Sequence, residues 1–319
     1  MTTSNTFAFS VSTNDLVREA MLNIGKLDSY ESINPVDFAD SVRKLNMIIK
    51  QLQGKADFSK GLKMWTRRIG YLFLSGTGYQ YNLSATGDNW TNSFVKTTVT
   101  FNAYTGSLSL VVGSATGIAL TNYIGIQLSN GSLFWSTVSG VTGLTITLNT
   151  PLPSNVSATG IVYVYAAKAQ FPLAIEIMSL RDSTSTDVPV RSLNLYDYTA
   201  LPSKTDVTNK SDPTGVYVEH QLNYVNLFTD CGSTSDVTKY LVINYQETIQ
   251  DISGNPAETI EYPQEYYRAI SWMLSKEICP MFNGTWDQTR EGLLTQAVSV
   301  ATNKDPETSS QDWFFKSAE

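Results

Sequence analysis

Glu258, Glu261 and Glu265 crowd into AETIEYPQEYY, and carboxyl groups gathered this way could do general acid–base work. Hydrolysis of a glycosidic bond is the simplest such reaction, because it needs only two of them. The same three residues also stand around the start of a helix that Pro263 opens, where negative charge is favoured by the helix dipole. That second reading is the plainer one. His220 is the one histidine of the chain, in the strand-like GVYVEHQLNYVNL. A lone imidazole could act as a base, but no nucleophile elbow stands near it and no second histidine could share a metal. Cys231 and Cys279 are too far apart for a zinc knuckle or a redox pair and read as two unpaired thiols. DISGNPAE lacks the regularly spaced oxygens of a calcium loop. Phosphate-loop, HExxH, CxxC and GxSxG patterns are all missing. MWTRRIGY sets aromatic beside basic residues, yet one Arg pair is a weak nucleic-acid signal, and Trp65 reads as core. The sequence therefore predicts a protein that is not an enzyme, with no catalytic residue, no cofactor and no metal. A glycan hydrolase using a carboxylate pair is the enzymatic alternative.

Helices are legible at both ends of the chain. Ser12 and Asp15 stand in capping-box spacing before Leu16, Val17, Ala20, Met21, Ile24 and Leu27, which recur at helical period. Asn34 and Pro35 open a second helix with a stripe of Phe38, Val42, Leu45, Ile49 and Leu52. Near the other end, Pro263 opens a third with Tyr266, Ala269, Ile270, Met273, Leu274 and Ile278. Thr285 and Gln288 then make a capping box for a fourth. Between these lie short apolar runs bounded by Gly, Asn, Ser and Pro, the signature of strands. RRIGYLFL and YQYNL around Gly76-Thr77-Gly78 read as a hairpin. SLNLYDYTALPSK has room for one short helix.

The fold class that follows is α+β. A helical bundle comes from both chain ends, and a central β platform carries an inserted small β-barrel or sandwich. The divisions are 1–67 for the helical hairpin, 68–83 and 167–261 for the platform and 84–166 for the insert. The C-terminal helices take 262–302 and a docking tail 303–319.

Charge divides the chain just as sharply. Only Asp88 and Lys96 are charged between 84 and 166, whereas 14–60 carries fourteen charged residues. Ser, Thr and Asn hydrogen-bond without the desolvation cost of an ion. A neutral module can therefore be pressed between neighbours, serve as an adaptable sugar- or receptor-binding face, or simply be solvated. A net charge of −7 disfavours a grip on duplex DNA, which needs neutralising Lys and Arg. No apolar run reaches the length of a membrane span, and the first residues lack the pattern of a signal peptide.

Taken in order, the capped hairpin from Thr13 to Arg68, the strands GYLFLSGTGYQYNL, the stretch RSLNLYDYTALPSK and the helix YPQEYYRAISWMLSKEICPMF resemble the head-to-tail adaptors of short-tailed bacteriophages. These are the head-completion, packaged-DNA-stabilisation and tail-tubular-A-like proteins. The resemblance implies a virion protein made in the host cytoplasm and placed at the head–tail junction. It implies a homo-oligomeric ring, a dodecamer, docked under the portal protein. Such a ring retains the packaged genome, lets DNA pass without sequence-specific binding, and supports tail nozzle or fibre proteins. It also implies that the tail reaches onto the portal, with Trp313, Phe314, Phe315 and Lys316 as the docking residues. A carbohydrate- or receptor-binding tail module and a virion-associated glycan hydrolase are the alternatives.

Overall fold

The computed structural model describes residues 9–54 and 64–303. Its fold is α+β, and the chain divides into two compact units: a helical one from the two ends of the chain, and Arg67–Thr248.

In the helical unit, α1 (Thr13–Asn23) and α2 (Pro35–Gly54) form the predicted hairpin. Ser12 caps α1 as its spacing requires: its hydroxyl accepts the Asp15 N–H at 3.1 Å and donates to the Asp15 carboxylate at 2.6 Å. Asn34 caps α2 through the Val36 N–H, with Pro35 at the first helical position. From the other end, α4 (Tyr267–Ile278) lies against α1, α2 and α5 (Gln288–Asn303), and their apolar stripes make one core. Ser275 sits in the α1–α4 contact, fully buried, its hydroxyl donating to the Ala20 and Ser271 carbonyls. A single turn, Gln264–Tyr266, precedes α4, and Asn283 in the left-handed region closes the turn that follows it.

The segment 249–261, read from sequence as platform, belongs here instead. Ile249, Ile252 and Ile260 are in the helical core. The Asn46 amide clamps the Ile252 backbone, donating to its carbonyl at 3.0 Å and accepting its N–H at 2.9 Å. α5 also begins later than its sequence suggests. Asp287, not Thr285, is the cap, accepting the Arg290 N–H at 2.8 Å. Both satisfy the same need of orphan N–H groups at a helix start.

The second unit begins with β1 (Arg67–Phe73), β2 (Gln80–Leu83) and β3 (Trp90–Thr91). It continues through β4 (Val95–Thr98), β5 (Ser109–Val111), β6 (Tyr123–Gln127), β7 (Leu133–Thr142), β8 (Thr145–Leu148) and β9 (Ile161–Tyr165). Then come β10 (Pro172–Arg181), β11 (Asp187–Pro189), β12 (Arg191–Leu193), α3 (Leu195–Ala200), β13 (Gly215–His220), β14 (Val225–Thr229) and β15 (Tyr240–Glu247).

These strands make three sheets, in the orders β11-β10-β15-β1-β3, β12-β13-β14-β2 and β4-β9-β6-β7-β8-β5. The first two are a sandwich. Leu72, Leu241, Ile243 and Tyr245 of one share a core with Leu83, Val216, Val225 and Leu227 of the other. So β1 and β2 are not the hairpin their adjacency predicted: β1 pairs with β15 and β3, while β2 crosses to the other sheet and pairs with β14. Trp90 lies inside the span read as insert but is fully buried in the sandwich, its indole N–H donating to the Ala169 carbonyl at 3.0 Å. Its ring covers Gly70 so closely that a Cβ there would sit 2.6 Å away, which reserves that strand position for glycine.

The third sheet curls back on itself. Thr100 N–H donates to Val111, and Gly113 N–H to Thr98, joining its two edge strands into a small barrel over 95–165. Val99, Ile124, Ile126, Val138, Ile146, Val162 and Val164 are part of its interior.

Candidate interaction surfaces

No catalytic constellation emerges from the residues singled out by type. Glu258 accepts from the Ser253 backbone N–H and hydroxyl, both at 2.8 Å, so its carboxylate closes a turn. Its backbone carbonyl receives the Thr13 N–H and hydroxyl at 2.7 and 2.8 Å, which pins the start of α1. Glu261 is exposed. His220 ends β13, exposed, opposite Val225. Cys231 and Cys279 are both free and buried, and burial raises the Cys231 thiol above its ordinary value, which makes it a poor nucleophile. Trp65 packs against Tyr262 and Tyr266, at ring-centroid distances of 5.4 and 4.9 Å, as a core residue. Among the described residues, no three His, Cys, Asp or Glu side chains gather as a metal site would require. Trp313, Phe314, Phe315 and Lys316 lie outside the described residues.

What the molecule offers instead is surface. A groove of about 960 Å³ runs along α2, walled by Phe38, Val42 and Met47 and by Ile252 opposite. The cations on its rim are engaged: Arg43 with Asp40 at 2.9 Å and Lys50 with Asp251 at 2.7 Å. A smaller cavity of about 390 Å³ is lined by residues of α2, α4 and α5, Leu52, Met273 and Leu294 among them. Both set apolar side chains beside charged and polar ones, Asp251 in the first and Glu277 in the second.

The barrel has two faces of different character. Along β9, Ile161, Tyr163 and Tyr165 alternate outward against inward Val162 and Val164. These outward residues, with Tyr123, Leu133 and Trp135 of β6 and β7, pack on Phe73, Tyr240 and Val242 of the sandwich. Phe73 is the hub, with ring centroids 4.6 Å from Tyr163, 5.3 Å from Trp135 and 5.2 Å from Phe94. The phenols at this seam find partners. Tyr163 donates to the Thr238 carbonyl and Tyr165 to the Asn89 side chain, both at 2.7 Å. Burial pushes both far above an ordinary tyrosine, so they stay neutral hydrogen-bond donors. Lys168 bonds the Gly87 carbonyl beside the seam and lies 5.3 Å from the Tyr123 ring centre; burial lowers its pKa.

Away from the seam the barrel carries exposed apolar side chains, with Phe101 65% and Tyr104 69% exposed. Sequence reasoning did not single out either set. The seam had a readable signal in IVYVY, where every position is apolar, because a strand covered on both faces loses its polar alternation. The exposed set had none: Phe101 and Tyr104 stand in irregular stretches where no period applies.

No family model matches the chain, and no curated protein does. Among solved structures, the Gp54 tailspike of Acinetobacter baumannii bacteriophage AP22, in complex with A. baumannii capsular saccharide, matches at 19% identity. That likeness covers 23% of this chain and 15% of the tailspike, with a TM-score of 0.21. VP17, a capsid protein of bacteriophage P23-77, matches at 11% identity over 56% of this chain and 78% of its own, with a TM-score of 0.12. Neither likeness extends to the fold of the whole chain. Among the described residues, no helix is long and apolar enough to cross a membrane.

Proposed function

We propose that this chain is a structural protein of a bacteriophage virion, a head-to-tail adaptor. As a homo-oligomeric ring at the head–tail junction it docks beneath the portal protein, retains packaged DNA and carries the tail. It performs no catalysis. One observation supports the reading above the others. The two segments that carry the sequence resemblance, the N-terminal hairpin and the Tyr262–Phe282 helix, lie far apart in sequence and share one core. Its charge fits the same role: at −7 per copy, a ring repels phosphate and leaves DNA free to slide through.

Native mass spectrometry of the purified chain, alone and mixed with portal rings from its own virus, tests the proposal. The expected result is a discrete complex of many copies on each portal. A mixture that stays as separate species, or a turnover of cell-wall glycan that Glu258→Gln abolishes, overturns it.

A further inference from the structure

The β4–β9 ladder does not stop where the two barrel strands end. In the register that pairs Thr98 with Ile161, it runs on into the chain that follows β4 and the chain that precedes β9. Val99 N–H donates to the Gly160 carbonyl and Thr159 N–H to the Val99 carbonyl. Further out, Ala103 and Val156 exchange both backbone bonds, at 3.0 and 2.8 Å. Successive side chains of such a ribbon point to opposite faces. Ala103 and Val156 belong to the barrel core. Their neighbours Asn102, Tyr104, Asn155 and Ser157 therefore share the other face, and all four are exposed. Tyr104 stands opposite Asn155 and Asn102 opposite Ser157, with about 5 Å across each pair and about 7 Å from one pair to the next.

Both asparagines are held in place. The Asn155 Oδ1 accepts the Thr105 N–H at 3.0 Å and the Thr105 hydroxyl at 3.2 Å, and the Asn102 Oδ1 accepts the Ala158 N–H at 2.7 Å. With each oxygen turned to the backbone, each amide nitrogen keeps its two N–H donors for a ligand. The Ser157 hydroxyl meets that of Ser129 at 2.9 Å, which extends the polar face to the loop after β6.

We propose that this ribbon face binds an uncharged polysaccharide. The C–H face of a pyranose ring is slightly positive and stacks on the negative face of the Tyr104 ring. Its hydroxyls accept from the Asn102 and Asn155 amides and exchange hydrogen bonds with Ser157. Donors already held in place cost little further ordering on binding. Charge argues for that occupant. Lys96, back in β4, is the one charged residue between 95 and 165, so an ionic ligand finds no partner on this face. Nucleic acid lacks the cations it needs. A second protein needs an interface core more apolar than this, one aromatic ring among polar groups. The inference goes beyond the adaptor reading and does not rest on it.

Affinity electrophoresis of the full chain tests it, in native gels cast with dextran, mannan or galactan, all uncharged, or with anionic hyaluronate. At least one neutral gel is expected to retard the wild type, with a Kd on the order of 1 mM in sugar residues that salt leaves unchanged. Tyr104→Ala should weaken this binding at least about tenfold, and Tyr104→Phe, which keeps the stacking ring, much less. Asn155→Asp still accepts from Thr105 but has no donor, and should weaken it about threefold or more. Both Tyr104 variants should melt like wild type, the side chain being 69% exposed. Leu120→Ala is the control: Leu120 is exposed at the opposite end of the barrel, between β5 and β6, and its loss should change nothing. No retardation by any neutral gel up to about 10 mM, retardation that Tyr104→Ala leaves intact, an equal loss in Leu120→Ala, or stronger retardation by hyaluronate overturns the inference. So does self-association that Tyr104→Ala abolishes in a chain that no neutral gel retards.

Discussion

The helical unit and the barrel solve the same problem with opposite materials. Each must hold an apolar core and still face water. The helical unit does so with ions: Arg43 with Asp40, Lys44 with Glu277 and Lys276 with Glu291 decorate helices whose buried stripes meet in one core. The barrel does so with neutral groups. The Ser129 and Ser157 hydroxyls bond at 2.9 Å, Asn149 donates to Thr137 at 2.6 Å, and the Asn102 side chain accepts the Ala158 N–H at 2.7 Å. Exposed ion pairs contribute little and fade with salt. Neutral hydrogen bonds contribute about as little but leave no field behind. The difference lies less in stability than in what each surface presents: the first a mosaic of fixed charges, the second neutral hydrogen-bonding groups.

The strongest way to break this comparison is to strike the seam. Phe73→Ala removes the hub that joins barrel to sandwich, and a buried aromatic truncated in this way costs about 3–5 kcal/mol. Denaturant unfolding followed by near-ultraviolet circular dichroism should show the sheet-rich unit destabilised by that amount. Helical signal at 222 nm should shift little. If both signals move together, the two units unfold as one and their contrast is only chemical.

Alkali should sharpen the contrast. Burial pushes the Tyr81 and Tyr245 phenols from 10.0 up to about 12, and raises Tyr163 and Tyr165 as well. A raised phenol keeps its proton in the fold after the unfolded chain has lost it. Its contribution is complete below pH 10 and drains away between about 10 and 12. The helical unit contributes Tyr262, likewise raised by burial. The sheet-rich unit should thus lose more stability over this window, read as the denaturant midpoint against pH. Equal losses in both units would contradict this.

The smallest effect is expected at Glu291. Hydrogen bonds from Lys276 and then from Trp286 hold its carboxyl below the usual range. The support is present above the ordinary glutamate pKa and is lost as pH falls through the depressed one. Glu291→Gln should lower the helical transition slightly at neutral pH and low salt, and not at all in about 1 M salt, where screening acts within roughly 3 Å. An effect that survives high salt would mean the Trp286 bond, not the ion pair, carries it.

The sequence shows α1, α2 and α4 plainly, because a 3.6-residue apolar period and a cap are both local signals. The barrel strands were legible too, since turns punctuate them. Three features were not. β10 passes unnoticed because Pro172 opens it, Glu176 interrupts it and two register shifts break its pairing with β15. The separation of β1 from β2 depends on β14 and β15, more than a hundred residues away. The transfer of 249–261 to the helices depends on Asn46, whose side-chain clamp has no sequence signature. As for sites, the carboxylates, His220 and the cysteines stood out by type and proved to be turn, surface and core residues. Phe101, Tyr104 and the seam aromatics were hidden because only the closed barrel shows which side of a strand is covered.

That the helical core draws on both ends of the chain has a consequence for synthesis. When α1 and α2 leave the ribosome, the helix they need is not yet made. The whole of Arg67–Thr248 must be translated first, roughly 10–40 s at elongation rates of about 5–20 residues per second. During that wait the stripe of Leu45, Ile49 and Leu52 faces water, while the sheet-rich unit can already close behind it. The nascent hairpin is then the part most in need of a chaperone, folding after the sheet-rich unit although made before it.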